Sequence, residues 1–176
     1  MAATRILSVI GLKNAGKTTL LVALSAEFAR RGRRVMTIKH STHATSPDQQ
    51  GTDSWRHYHE GKAERVLMVT PQERILFERT PDTEGPEALA RRYLGEADIV
   101  LVEGFKKAPV PKIEVYRKVA GPTPLFDPAL PSARDWVAIV TDDARFSADC
   151  TVLRFTDTMW LQLLANLAWD RAKPLT

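Results

Sequence analysis

Residues 11–18, Gly-Leu-Lys-Asn-Ala-Gly-Lys-Thr, set two glycines five positions apart and follow the second with Lys17, Thr18 and Thr19. The spacing fits G-x-x-x-x-G-K-[ST] in full. Each residue type has a chemical reason to be there. Glycines let the backbone turn so that successive N–H groups converge on one anion. A helix starting near Lys17 adds its positive end at the same point. In such a loop the Lys17 ammonium reaches the outer phosphates of a nucleotide, and the Thr18 hydroxyl ligates Mg²⁺. A plain glycine turn is the alternative, and the flanking elements argue against it.

A magnesium nucleotide site also wants a carboxylate at the end of a neighbouring parallel strand, because ligands in such sheets sit beyond the carboxyl ends of the strands. Glu103 closes the apolar run "DIVLVEG" (98–104) and is the natural candidate, with Gly104 beside it. Asp98 lies at the wrong end of that run and reads as a turn residue. Lys39 and His40 end an earlier strand, where Lys39 either neutralises phosphate or stands in solvent. His40 and His43 form a poor metal pair, since no third ligand follows at a familiar spacing. Asp48 and Asp53 lie in a polar loop, where they serve either a metal and an outer phosphate or ordinary turn and cap chemistry. For catalysis itself only Lys39 and Asp48 stand out. No glutamine or arginine announces itself as a water-positioner, so turnover far below the usual range of about 1 to 10³ s⁻¹ is expected.

The elements that must position these groups follow from periodicity. "TRILSVI" (4–10) reads as a buried strand. Leu20, Leu24 and Phe28 then recur at helical spacing, with Leu21 and Ala23 beside them. "RVMTIKH" (34–40) is a second strand, giving a unit that makes a right-handed crossover and a parallel pair. A short helix is expected from about Asp53 to Gly61. "ERVLMVT" (64–70) and "ERILFER" (73–79) form a hairpin about Pro71-Gln72. Residues 86–96 look helical, 98–104 and 111–117 are strands, and the proline-rich stretch 118–134 is a loop or excursion. Strands at 135–143 and 151–155 precede a last helix opened by Asp157 as N-cap, with Trp160, Leu161, Leu164 and Leu167 on one side. The alternation predicts an α/β fold: a three-layer, P-loop NTPase-like arrangement with a mainly parallel sheet and an added antiparallel hairpin. Residues 1–176 are expected to form one domain. The exposed hairpin is an edge that needs cover, and a homodimer would supply it.

Composition bounds the rest. The chain has 176 residues, 44% hydrophobic and 26% charged, enough for a core without disulfides. One cysteine, Cys150, suits a reducing compartment, and no leader or membrane-crossing stretch is evident, so a cytoplasmic protein is expected. The net charge of +4 fits a handler of polyphosphates. Its densest run, "RRGRR" (30–34), reads as cations at a helix C-terminus ended by Gly32, so neither nucleic-acid nor membrane binding is expected.

Five stretches in this order, "GLKNAGKTTL", "TIKHSTH", Asp48/Gly51/Asp53/Ser54/Arg56, "DIVLVEGFK" and "PKIEVYR", resemble the molybdopterin-guanine dinucleotide biosynthesis protein B family. The resemblance spans residues 5 to about 117 and continues more loosely through "VAIVTDD". It implies a homodimeric GTP- and Mg²⁺-binding adapter, hydrolysing GTP slowly if at all. The adapter would work with the guanylyltransferase that joins GMP to molybdopterin, and with molybdopterin-handling proteins. Carried over, Gly11, Lys13, Asn14, Ala15, Gly16, Lys17, Thr18 and Thr19 would hold phosphates. Thr18 and Glu103 would meet Mg²⁺, with Asp48 a third candidate ligand, and Lys39, Asp48 and Glu103 to Lys106 would line the site.

The N-K-x-D guanine signature does not occur in the sequence. "VTDD" sits at a late strand end, where Asp142 or Asp143 could accept from guanine N1–H and N2–H₂ and leave a wrong base with unpaired groups. Two other classes compete with the adapter: a P-loop small-molecule kinase, which needs a positioned base and an acceptor pocket, and a metal-delivery GTPase, which calls for a Cys/His cluster.

Overall fold

The computed structural model describes residues 3–41, 48–80 and 84–175. The chain divides into two compact units, one of residues 1–40 with 85–176 and one of residues 41–84.

The larger unit is built on a sheet in which β1 (Arg5–Gly11), β2 (Val35–Lys39), β5 (Ile99–Glu103), β6 (Lys112–Tyr116), β7 (Trp136–Thr141) and β8 (Thr151–Arg154) run parallel in the order β2-β5-β1-β6-β7-β8. The central strands are covered on both faces, which is why their sequences are continuous apolar runs rather than alternating ones. Leu7, Val9, Leu101, Ile113 and Val140 face α1 (Lys17–Arg30) and α4 (Trp160–Arg171), where Leu20, Leu24, Phe28 and Leu164 fill the core. Ile6, Val100 and Val102 face the other side, against Ala90 of α3 (Pro86–Tyr93) and Val110. This is the expected three-layer α/β fold. A short β9 (Lys173–Pro174) pairs antiparallel with Arg5 and Ile6, the part of β1 that β6 does not reach.

The proline-rich stretch after β6 is an excursion that ends in a 3₁₀ turn, Pro131–Asp135, before β7. Buried Glu114 holds it: its carboxylate accepts from the N–H groups of Leu125 (2.5 Å) and Phe126 (3.0 Å) and from Trp136 Nε1 (2.9 Å). Lys112, equally buried, donates to Val110 O and to Asp135 at 3.0 and 3.1 Å, so neither charge is stranded.

In the smaller unit α2 (Asp53–His59) is capped by Thr52, whose hydroxyl accepts from Trp55 N. It is followed by the hairpin of β3 (Arg65–Val69) and β4 (Arg74–Glu78). The hairpin forms a two-stranded sheet of its own. The antiparallel strand of the main sheet is instead β9, which is too short and too polar to be legible in sequence.

One sequence expectation shifts and another holds. Helix α4 starts at Trp160, with Met159 in the left-handed region as its N-cap. Asp157 does not cap it; its carboxylate accepts from Arg154 N at 2.7 Å and closes the turn after β8. Asp98 does serve as a turn residue, accepting from Arg34 N at 2.8 Å. Among the described residues no helix is long and apolar enough to cross a membrane.

Candidate functional site

Strand β1 ends at Gly11, and the next five residues turn the chain back into α1. Gly11 has φ 149°, and a Cβ there would lie 2.5 Å from the Val115 carbonyl oxygen, so glycine is required by the neighbouring strand β6. Asn14 and Gly16 take the left-handed region (φ 63° and 99°), which swings the backbone into the helix start. Ala15 is buried beneath the loop, while Lys13, Asn14, Thr18 and Thr19 are exposed. The first turn of α1 has neither a side-chain cap nor an acidic residue. Its N–H groups and the positive end of its dipole are left for something else.

Lys17 is half-buried, and its ammonium donates to the Leu12 carbonyl at 2.7 Å, folding back over its own loop. Burial pushes its pKa down. The Lys106 and Lys39 cations push the same way, and Glu103 pulls it back up. The site is thus a concentration of positive charge with one embedded carboxylate.

That carboxylate ends β5. In register, Glu103 stands between Val9 of β1 and Lys39 of β2. Thr18 Oγ1 donates to Oε1 at 2.9 Å and to Oε2 at 3.0 Å, while Lys39 Nζ lies 3.9 Å from Oε2. Lys17, Thr18, Lys39 and Glu103 therefore meet at the carboxyl edge of the sheet. Beyond Glu103 the chain passes through two left-handed residues, Gly104 (φ 103°) and Phe105 (φ 50°). A Cβ on Gly104 would press to 3.1 Å on His40 Cβ, and the His40 ring lies against Phe105 with centroids 4.3 Å apart. His40 is thus packed against an aromatic ring. Its sequence companion His43 lies outside the described residues.

Asp142 and Asp143 follow β7 at the same edge, two strands from β1. Both are paired, which the sequence did not signal. Arg117 Nε donates to Asp142 at 2.8 Å, and Lys118 Nζ lies 2.9 Å from Asp143. Asp143 also accepts from Arg145 N at 3.0 Å, and the Lys118 hydrogen bond, with that of Arg145, holds its carboxyl below the usual range. The register Tyr116↔Thr141 explains the pairing, since it places the two following cations beside the two following acids. Asp48 belongs to the smaller unit, where its carboxylate accepts from Thr52 Oγ1 at 2.9 Å near the start of α2.

The donor set fits a magnesium nucleotide. Backbone N–H groups at an uncapped helix start, a lysine and a flanking lysine suit phosphate oxygens. A hydroxyl and a carboxylate 2.9 Å apart are hard oxygen ligands of the kind Mg²⁺ takes. Thr18 and Glu103 would hold Mg²⁺, which would supply charge neutralisation for the phosphates.

Comparison with known proteins identifies the family. The family described as "Molybdopterin guanine dinucleotide synthesis protein B" matches residues 6–142. The molybdopterin-guanine dinucleotide biosynthesis adapter protein of Haemophilus influenzae is 34% identical over 149 residues, covering 84% of this chain and 80% of that protein. Its Escherichia coli counterpart is 36% identical over 112 residues, covering 62% of this chain and 63% of that protein. The fold matches the crystal structure of Bacillus subtilis MobB with a TM-score of 0.66 at 21% identity, over 93% of this chain and 97% of that one. A crystal structure of molybdopterin-guanine biosynthesis protein B gives a TM-score of 0.67 at 24% identity, over 94% and 97% of the two chains. Motif order, three-layer fold and matched span together make this chain a member of the molybdopterin guanine dinucleotide synthesis protein B family.

Proposed function

We propose that the protein is a GTP-binding adapter in molybdopterin-guanine dinucleotide assembly, acting with a guanylyltransferase in the cytoplasm and hydrolysing GTP slowly at most. The observation that carries the reading is the meeting of Thr18 and Glu103 in front of the uncapped α1 terminus, beside Lys17. In this reading the loop from Gly11 to Thr19 holds the phosphates. Lys17 leaves the Leu12 carbonyl for the outer phosphates, and Thr18 and Glu103 exchange their mutual hydrogen bond for a shared Mg²⁺. Lys39 and Lys106, whose charges act on Lys17, would add charge at the outer phosphates. Asp142 is the better base-reading residue of the acidic pair, because Asp143 already takes both Lys118 and Arg145. Asp48 is a third candidate ligand for the ion, and within the smaller unit its carboxylate accepts from Thr52 Oγ1.

The hairpin supports a homodimer. Leu67 and Leu76, a cross-strand pair, and Val69 are exposed at 59%, 44% and 64%. A second copy would cover them.

Calorimetric titration with GTP and ATP, each with and without Mg²⁺, tests the site. Magnesium-dependent binding with a clear GTP preference is expected, together with slow phosphate release that rises when a guanylyltransferase is added. Equal affinity for both nucleotides would remove the base-reading assignment, and no binding of either would remove the reading itself.

A further inference from the structure

A second cleft opens at the opposite edge of the sheet from the glycine loop. It has a volume of about 540 Å³ and lies where β7 and β8 begin, beside the C-terminal end of α4. Phe126 and Trp136 form one wall, their rings in an edge-to-face pair with centroids 5.9 Å apart. Both are fixed by the same buried group: Glu114 accepts from the Phe126 N–H and from the Trp136 indole N–H. A wall held this way is preorganised, since neither ring must be ordered when something binds.

The rest of the lining mixes apolar residues with two unspent cations. Among the described residues, neither the Arg134 nor the Arg171 guanidinium has a hydrogen-bond or ion-pair partner, and both line the cleft. This contrasts with Arg30, Arg31, Arg117 and the buried Lys112, each held by a carboxylate. Asp149 lines the cleft as well, so its charged groups sum to one positive, with one acceptor among two forks of donors. Cys150 completes it, half-buried, with its thiol pushed up by burial, so it is mainly protonated at neutral pH and reacts slowly but measurably.

We propose that this cleft is a second ligand site, for a small planar organic anion: an aromatic or heteroaromatic ring carrying a phosphate or carboxylate. The ring would lie on the Phe126–Trp136 wall, with its charge in the guanidinium forks. The volume suits a ligand about the size of a mononucleotide, within the usual range of roughly 300–1,000 Å³. Glycine loop and cleft lie at opposite ends of the strands, so the two ligands would not compete.

Cys150 is the sole cysteine in the chain, so it reports occupancy without further labelling. The test is the rate of Cys150 alkylation by N-ethylmaleimide in the full-length protein, with 1-naphthyl phosphate as probe and 1-naphthol and inorganic phosphate as its separated halves. Saturating 1-naphthyl phosphate should slow alkylation about tenfold or more, and each half alone should protect far less. Arg134→Gln and Arg171→Gln, both at exposed positions, should each weaken the protecting affinity by about tenfold. Protection should persist when Mg²⁺ and GTP are added in excess. No protection by 1-naphthyl phosphate in the wild type would overturn the site. So would equal protection by inorganic phosphate, undiminished protection in the double variant, or displacement of the probe by GTP. Slow alkylation without probe that depends on protein concentration would assign the cleft to a second copy of the chain instead.

Discussion

The Thr18 hydroxyl and the Glu103 carboxylate, 85 positions apart in sequence, meet at 2.9 and 3.0 Å. The contact ties the first turn of α1 to the end of β5. Both groups belong to elements fixed by the core, so their separation is set by the sheet rather than by a flexible loop. Thr18→Val keeps the shape and removes the oxygen. It should bring GTP affinity in Mg²⁺ down by about 10–100-fold, toward the value in EDTA, with an unchanged circular dichroism spectrum. Full retention of the magnesium dependence would take Thr18 out of the ion's coordination.

Among the described residues Lys17 has one side-chain hydrogen-bond partner, the Leu12 carbonyl of its own loop. Removing it costs the fold little, about 1 kcal/mol for one part-buried hydrogen bond. The same change removes a cation from the proposed phosphate cradle. Lys17→Ala should therefore lose nucleotide binding at least about tenfold while melting within a few degrees of the wild type. Unfolding, or binding at full strength, would count against the cradle.

The acidic pair after β7 separates two roles. Asp143 sits in a turn closed by Thr141 Oγ1, Arg145 N and Lys118. Among the described residues Asp142 has only Arg117, on one oxygen. Asp142→Asn should erode the preference for GTP over ATP by about tenfold or more, with little change in melting temperature. Asp143→Asn should do the reverse, lowering stability by about 1 kcal/mol and leaving base preference intact. Parallel titrations and thermal melts of the two variants distinguish the outcomes.

What the sequence disclosed, and what it withheld, follows from the range of the interactions. Gly11, Gly16, Lys17 and Thr18 act within one turn of chain, so local spacing announces them. Glu103 was legible because a buried parallel strand ending in an acid is rare and directional. Arg117 and Lys118 were not, because their partners depend on the register between β6 and β7, which no local pattern encodes. Asp157 was misread for a related reason: the residue type suits a helix cap, but the Arg154 N–H three residues back competes for the same carboxylate. The hairpin was visible through its alternation, yet nothing in that alternation told which sheet it would join. Glu114 looked like any polar residue on an alternating strand, and its burial became apparent only with the excursion folded over it.

Glu114 is 1% exposed and gathers three N–H donors. Replacing it with alanine leaves those part-buried donors without their acceptor, each worth about 1–3 kcal/mol. Glu114→Ala should lower unfolding free energy by about 3 kcal/mol or more in urea titrations. It should also change tryptophan fluorescence, since Trp136 loses its tether. A loss under about 1 kcal/mol would mean that the 118–135 excursion holds itself.

Glu27 gives the fold an acid-sensitive tie. Its carboxylate accepts from Arg30 Nε and Nη2 at 2.9 Å and from Arg31 Nε at 2.8 Å, and Arg31 goes on to Asn166 and Gln162 of α4. The two arginine hydrogen bonds pull its pKa down to about 2. An unfolded glutamate titrates near 4.3. The unfolded chain therefore binds a proton at this position before the folded one does, and the stabilisation is full above about pH 4.3 and lost as the pH falls through 2. Glu27→Gln should be less stable than the wild type at pH 7, and the gap between the two should close between about pH 4 and 2. Denaturant midpoints of both proteins along that range provide the measurement, because taking the difference cancels the other carboxylates. A gap that stayed constant to pH 2 would show that the Arg30 and Arg31 contacts hold the α1–α4 packing without the charge on Glu27.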